Sequence, residues 1–194
     1  MFFVSEAELT RRSKVLSKAS QGRLELTSLK VPKETAFFHN NTRALATIAR
    51  TLAEVHKQPV IAVLFRDHDP RRSMSHRQRQ DRWNSILSGF EVEGFEFGIP
   101  MMPNPTSEAW LICLFKNPPY VGCQNMENRP SRSLKDQLDN LLGVEATRDI
   151  LVERLEQRPP DFNHLASAMT SFRVFHDRVR EVLQSLAATG PTPG

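Results

Sequence analysis

The chain has 194 residues, of which 39% are hydrophobic and 12 are Phe, with a net charge of +4 and an isoelectric point near 9.4. That is enough apolar material for one domain, or one domain with a modest helical appendage, and too little charge bias for a histone-like polycation. A mean hydropathy of −0.43 and the lack of any apolar run near the ~18 residues that a bilayer demands exclude a membrane-spanning helix.

In chain order, Phe2–Val4 reads as a short buried strand with Glu6 just past its end. A helix follows from Ala7 to Lys18, with Leu9, Val15 and Leu16 on its inner face. After the break at Gln21-Gly22, the alternation of Leu24, Leu26 and Leu29 predicts a second strand over Arg23–Leu29. Pro32–Asn41 reads as a connection, and Asn40-Asn41-Thr42 offers an N-cap for a helix over Thr42–His56. Val60–Phe65 is almost continuously apolar, the pattern of a strand covered by helices on both faces.

Trp83, Ile86, Leu87 and Phe90 then recur at helical spacing, Phe95–Met102 predicts another strand, and Pro105 opens a helix whose buried stripe is Ala109–Phe115. Trp83 and Trp110 read as core residues. Residues 117–133 form a Pro-rich loop, 134–188 are helical with breaks at Gly143 and Pro159-Pro160, and 189–194 are a loose tail. The order predicts an α/β domain over 1–116 with about four strands, followed by a C-terminal helical cap over 134–188 that packs on it.

The opening Met-Phe-Phe-Val, followed at once by Glu6, does not fit a signal peptide. The two cysteines, Cys113 and Cys123, lack Cys-x-x-Cys spacing and predict neither a disulfide framework nor a zinc site. A reducing cytoplasm is the expected compartment.

The strongest chemical signal is Arg66-Asp67-His68-Asp69, immediately after the apolar strand. Residues i and i+2 of an extended segment share a face, so Asp67 and Asp69 can address one point at the strand's carboxyl end, where open α/β sheets hold their ligands. Two readings stand. The pair is a solvated turn capping a helix, or its mutual repulsion is relieved by a hard cation such as Mg²⁺ or Mn²⁺. His68 falls on the opposite face and reads as structural. The next stretch carries Arg71, Arg72, Arg77, Arg79 and Arg82 with His76, against Asp81 alone. Such a run is a solvated helix face, or an arm for a phosphodiester backbone.

The Leu64–Asp69 segment, the block Gly98-Ile99-Pro100-Met101-Met102-Pro103 leading to Ser107-Glu108-Ala109-Trp110-Leu111, and the later Ser133-Leu134-Lys135 and Ser171-Phe172 resemble the TOPRIM superfamily. Within it the resemblance is to small stand-alone proteins of phage-defence operons, related to the overcoming-lysogenization-defect nucleases. It implies a mostly parallel, TOPRIM-like sheet of about four strands and metal-dependent cleavage of DNA or RNA. Glu6, Asp67, Asp69 and Glu108 would be the catalytic and metal-binding acids. Ala7 replaces the family's Gly, and Glu8 competes with Glu6 for the first position. Arg66, Arg71, Arg72, Arg77 and Arg79 would contact phosphates.

No Gly-x-x-x-x-Gly-Lys loop occurs, so the chain does not read as a P-loop ATP binder; the resemblance implies a separate ABC- or SMC-like ATPase partner, with activity only in the complex. Self-association within such a complex is compatible with this, and Arg173 and Arg180 lie on the expected docking face of the C-terminal helices. The alternative is a TOPRIM-shaped adaptor that has lost its chemistry. A phosphatase of the haloacid-dehalogenase type, which also uses Asp-x-Asp, would carry Thr or Val where this chain has Arg71.

Overall fold

The computed structural model describes residues 1–21, 33–67 and 75–189. Its elements are α1 (Glu6–Gln21), α2 (Lys33–His56), β1 (Ala62–Phe65), α3 (His76–Val92), β2 (Gly98–Met101) and α4 (Ser107–Phe115). A 3₁₀ turn (Cys123–Asn128), α5 (Ser131–Leu142), α6 (Arg148–Gln157), α7 (Phe162–Ala168) and α8 (Thr170–Thr189) complete the chain. Among the described residues, β1 and β2 form a small parallel sheet of two strands, and helices supply most of the rest. The class is α/β.

Two expected strands are not among those seen. Phe2–Val4 is not a strand, and none of the described residues pairs with it. Phe2 and Phe3 are exposed, and the Phe2 ring lies 5.4 Å from that of His56. Ser5 instead caps α1: its hydroxyl accepts the Glu8 N–H at 3.2 Å, so the helix begins at Glu6. The strand expected at Arg23–Leu29 lies outside the described residues, as do residues 190–194 of the expected tail. β1 is covered on one face only, since Ala62 and Leu64 are buried while Val63 and Phe65 are 45% and 46% exposed. Its unbroken apolar run is therefore no sign of two covered faces.

The chain divides into two compact units. The first comprises residues 1–64, 75–100 and 181–194, and in it α2 packs against both α1 and α3. The connection and N-cap expected at residues 32–42 are replaced by helix, because α2 already begins at Lys33. Asn41 and Thr42 are buried in its interior. Thr42 satisfies its hydroxyl by donating to the Phe38 carbonyl at 2.8 Å. A Cβ on Gly89 would stand 2.6 Å from the His39 carbonyl and 2.7 Å from the Thr42 Cβ, so glycine is what lets the two helices come this close. Glu93, at the end of α3, binds Arg43 at 2.7 Å and lies 3.5 Å from Arg50, both on α2.

The second unit comprises residues 65–74 and 101–180 and is built on α4. Apart from Leu111, the residues Ala109–Leu114 are buried, in a cluster with Leu134, Leu138, Leu165, Met169 and Phe172. As the spacing predicts, Trp110 is core. Its indole N–H donates to Ser171 Oγ at 2.9 Å, and its ring meets Phe172 edge-on at 4.9 Å. Trp83, by contrast, is only half-buried.

Within the expected loop 117–133, Cys123–Asn128 winds into the 3₁₀ turn and α5 already starts at Ser131. The expectation of no disulfide is also overturned: Cys113 and Cys123 are bonded. A spacing of ten residues carries no motif, but the chain reverses after α4 and returns Cys123 to the helix it has just left.

Gly98 opens β2 against the Phe90 ring, and an added Cβ would lie 2.3 Å from two ring carbons. Gly98→Ala should destabilise the fold by about 1–3 kcal/mol through overpacking, read as a lower urea midpoint at unchanged slope. An unchanged midpoint would show that Phe90 yields freely.

Candidate functional site

The site begins where the ladder ends. The Arg66 N–H donates to the Met101 carbonyl at 2.9 Å, so Asp67 is the first residue beyond the strand pairing. On the neighbouring strand the chain leaves Met101 through buried Met102 and Pro103 and the cis Asn104–Pro105 bond. It reaches Thr106, whose extended backbone (φ −147°, ψ 168°) sets the start of α4. Parallel strands finish at the same end of a sheet, so the loop after β1 and the helix after β2 meet there.

The meeting is a hydrogen bond. The Ser107 N–H donates to Asp67 Oδ1 at 3.0 Å, placing a carboxylate on the first turn of α4, where the helix dipole favours negative charge. Asp67 does cap a helix, but α4 rather than the next helix in sequence. Three influences then compete. Burial favours the neutral carboxyl, the Ser107 N–H favours the charged form, and the negative charge of Glu108 opposes it. Burial wins, and the Asp67 carboxyl is pushed up from an ordinary 3.8 to about 6.

Thr106 is a site residue that the sequence reading did not single out. A Thr at the N-cap ordinarily accepts a backbone N–H, yet this one makes no side-chain cap bond. Its side chain is buried, with Oγ1 lacking any partner among the described residues. The available signal was its place immediately before Ser107-Glu108, at the start of a helix opened by proline.

Of the predicted acids, Asp67 and Glu108 are brought together. Asp69 lies outside the described residues, as do Arg71 and Arg72. Glu6 is an exposed residue of the first turn of α1, in the first unit. The competing Glu8 is engaged by Arg12 at 2.6 Å and Arg11 at 2.8 Å, and the Arg12 and Arg11 hydrogen bonds hold its carboxyl below the usual range. That leaves Glu8 poorly placed to serve a metal.

Arg66 is half-buried next to Asp67. The arginine run is helical from His76, started by a reciprocal cap in which Ser75 Oγ accepts the Gln78 N–H and Gln78 returns the bond to the Ser75 N–H. Arg77 is exposed and Arg79 half-buried. Arg82, five residues beyond Arg77 and so roughly 140° around the helix, points inward. It is buried with its guanidinium 5.1 Å from the centre of the Phe38 ring, so this member of the arginine run faces the core and not solvent.

No three His, Cys, Asp or Glu side chains cluster as a metal site among the described residues. The donors at hand, the Asp67 and Glu108 carboxylates with the orphaned Thr106 hydroxyl, are all hard oxygens. They suit Mg²⁺ or Mn²⁺ better than a softer metal. The chain matches no known protein-family model, no curated protein and no solved structure.

The raised Asp67 carboxyl has a signed consequence for stability. The unfolded chain ionises near 3.8 and the folded one near 6, so stability present below the lower value is lost as pH rises through the upper one. Asp67→Asn keeps an oxygen for the Ser107 N–H and removes the titration. Thermal melts from pH 4 to pH 7 should therefore show the variant gaining on the wild type across this window. A constant difference between the two would refute the burial-driven shift.

Proposed function

We propose that this chain is a divalent-metal-dependent nuclease subunit, TOPRIM-like in its acidic site, that cuts DNA or RNA in complex with a separate ATPase of anti-phage defence. The observation that carries the reading is the half-buried Asp67 carboxylate at a strand's carboxyl end, beside Glu108 and over the first turn of α4. A carboxylate held there at an energetic cost suits a site that gains a cation. Asp67 and Asp69 would hold the ion, with Glu108 as a further ligand or proton acceptor. The ion would supply Lewis-acid polarisation of the scissile phosphate and a water of lowered pKa. Ser107 orients the Asp67 carboxylate through one oxygen and leaves the other for the ligand. Arg66, Arg77 and Arg79, with Arg71 and Arg72, would meet the phosphate backbone.

One observation favours the adaptor reading instead: Asp67 already has structural work in capping α4. Metal binding separates the two. In the assembled system, Asp67→Asn with Asp69→Asn should abolish cleavage and Mn²⁺ binding while ATPase binding and the fold persist. Full cleavage by the double variant would overturn the nuclease reading. Wild-type protein that binds the ATPase but no Mn²⁺, alone or in complex, would establish the adaptor.

The arginines carry their own test. Replacing Arg71, Arg72, Arg77 and Arg79 by Gln should weaken nucleic-acid binding about equally across sequences. It should also flatten the dependence of log K on log salt by roughly 0.7–0.9 per lost phosphate contact. An unaltered slope would return the run to a solvated helix face.

A further inference from the structure

Among the described residues, two carry buried side-chain atoms that meet no hydrogen-bond partner, Asn41 on α2 and Thr106 at the start of α4. Of the two, Thr106 adjoins the acidic site. Only a few covalent bonds separate its Oγ1 from the Ser107 nitrogen, and that nitrogen holds Asp67 at 3.0 Å. Asp67, Thr106, Ser107 and Glu108 all belong to the second unit. A buried hydroxyl without a partner is costly, because it has left water and received nothing in return. The molecule avoids that cost at comparable threonines. Buried Thr42 donates to the Phe38 carbonyl, Thr47 to that of Arg43 and Thr51 to that of Thr47. Thr147, in the same N-cap position on α6, accepts the Ile150 N–H.

The backbone of Thr106 does behave as a cap. It is extended, and its carbonyl accepts the Ala109 N–H at 3.2 Å. Its side chain takes no part, and the first N–H of the helix is bound instead by Asp67, arriving from β1. A local cap was available from a residue already in place, yet the fold uses a carboxylate brought from forty residues away. Two oxygens are thereby left without a hydrogen bond among the described residues, Thr106 Oγ1 and the second oxygen of Asp67. The Glu108 charge acts on Asp67 from the same first turn of α4.

We infer that Thr106 is a ligand residue, whose hydroxyl oxygen joins Asp67 and Glu108 in the donor set of a divalent cation. The inference rests on the cation of the nuclease reading and gives work to a residue which that reading leaves idle. Mg²⁺ and Mn²⁺ take hard oxygen donors, and a threonine or serine hydroxyl is an accepted ligand beside carboxylates. A neutral hydroxyl also adds a donor without adding to the repulsion between the two acids. Its β-branched side chain is stiff and buried, so the oxygen is fixed before the ion arrives. The ion-free protein then bears the cost of the orphaned group, and binding relieves it.

The test is Thr106→Val, which keeps the branched shape, suits the extended backbone and removes the oxygen. The full chain, alone and in the assembled system, is titrated with Mn²⁺ by following the paramagnetic resonance of the free ion. Melting of the ion-free chain is recorded beside it. The two readouts should move in opposite senses. Without metal the variant should melt roughly 2–4 °C above the wild type, since an orphaned hydroxyl has gone. It should bind Mn²⁺ roughly 10–100-fold more weakly, and Thr106→Ser should restore wild-type affinity. Thr106→Ala repeats the Mn²⁺ titration should the valine variant fail to fold. A variant that binds Mn²⁺ as the wild type does would make Thr106 a structural orphan and overturn the inference, with the nuclease reading intact. Weakened binding that Thr106→Ser does not restore, or a valine variant that melts lower without metal, would also overturn it. A wild type that binds no Mn²⁺ in either setting would overturn both.

Discussion

The candidate site depends on one hydrogen bond, from the Ser107 N–H to the Asp67 carboxylate. It joins the chain leaving β1 to the helix that follows β2, forty residues later. A backbone donor at a helix N-terminus is strong by the standard of such bonds, contributing about 1.5–3 kcal/mol to a charged acceptor. Here it is still the lesser influence, because burial of the carboxyl and the nearby Glu108 together outweigh it. The result is a carboxylate that is well positioned and poorly neutralised. Structural acids are ordinarily settled by cations or several donors, as Glu93 is by Arg43 and Arg50. Among the described residues, the contrast is between a carboxylate with two arginine partners and one held by a single backbone donor.

Around this bond, the second unit works as a support for α4. The helix is nearly all apolar, so the burial of Trp110, Ile112, Cys113 and Leu114 anchors it from within. Its first turn alone carries polar groups, and these face the end of β1 through Ser107. A packed helix is a firm way to hold a carboxylate at its end, since loops position side chains less firmly than packed elements do. The disulfide fastens the opposite end of the same helix, which makes the order of α4 a property of the whole unit.

The first unit shows a different constraint, steric rather than electrostatic. Gly89 and Gly98 each occupy a place where a Cβ would collide with a neighbour, one at the contact of α3 with α2 and one against Phe90. Arg82 belongs to this packing too. Its charge suggested a phosphate contact, yet the half-turn geometry of α3 places it over Phe38.

How much of this was legible in the sequence follows the range of the interactions involved. Local signals were sound. The apolar runs located β1 and β2, helical spacing located α3 and the buried stripe of α4, and Gly143 and Pro159-Pro160 marked real breaks between α5, α6 and α7. Asp67 at the end of β1 and Glu108 in the first turn of α4 were placed from the sequence, because strand ends and helix starts follow local rules.

What depended on distant neighbours was hidden. Phe2–Val4 has a strand's composition but no partner strand among the described residues, and Asn40-Asn41-Thr42 has a cap's composition inside a helix that buries Asn41 and Thr42. Cys113 and Cys123 meet only because the chain turns back on α4. Thr106 is unremarkable until its hydroxyl is seen to lack the partner that its position predicts. The sequence by itself determined the α/β class and which residues could carry chemistry. Only the tertiary structure decided that Asp67 meets Ser107, that Arg82 turns inward and that the cysteines bond, because burial and pairing are settled between residues far apart in the chain.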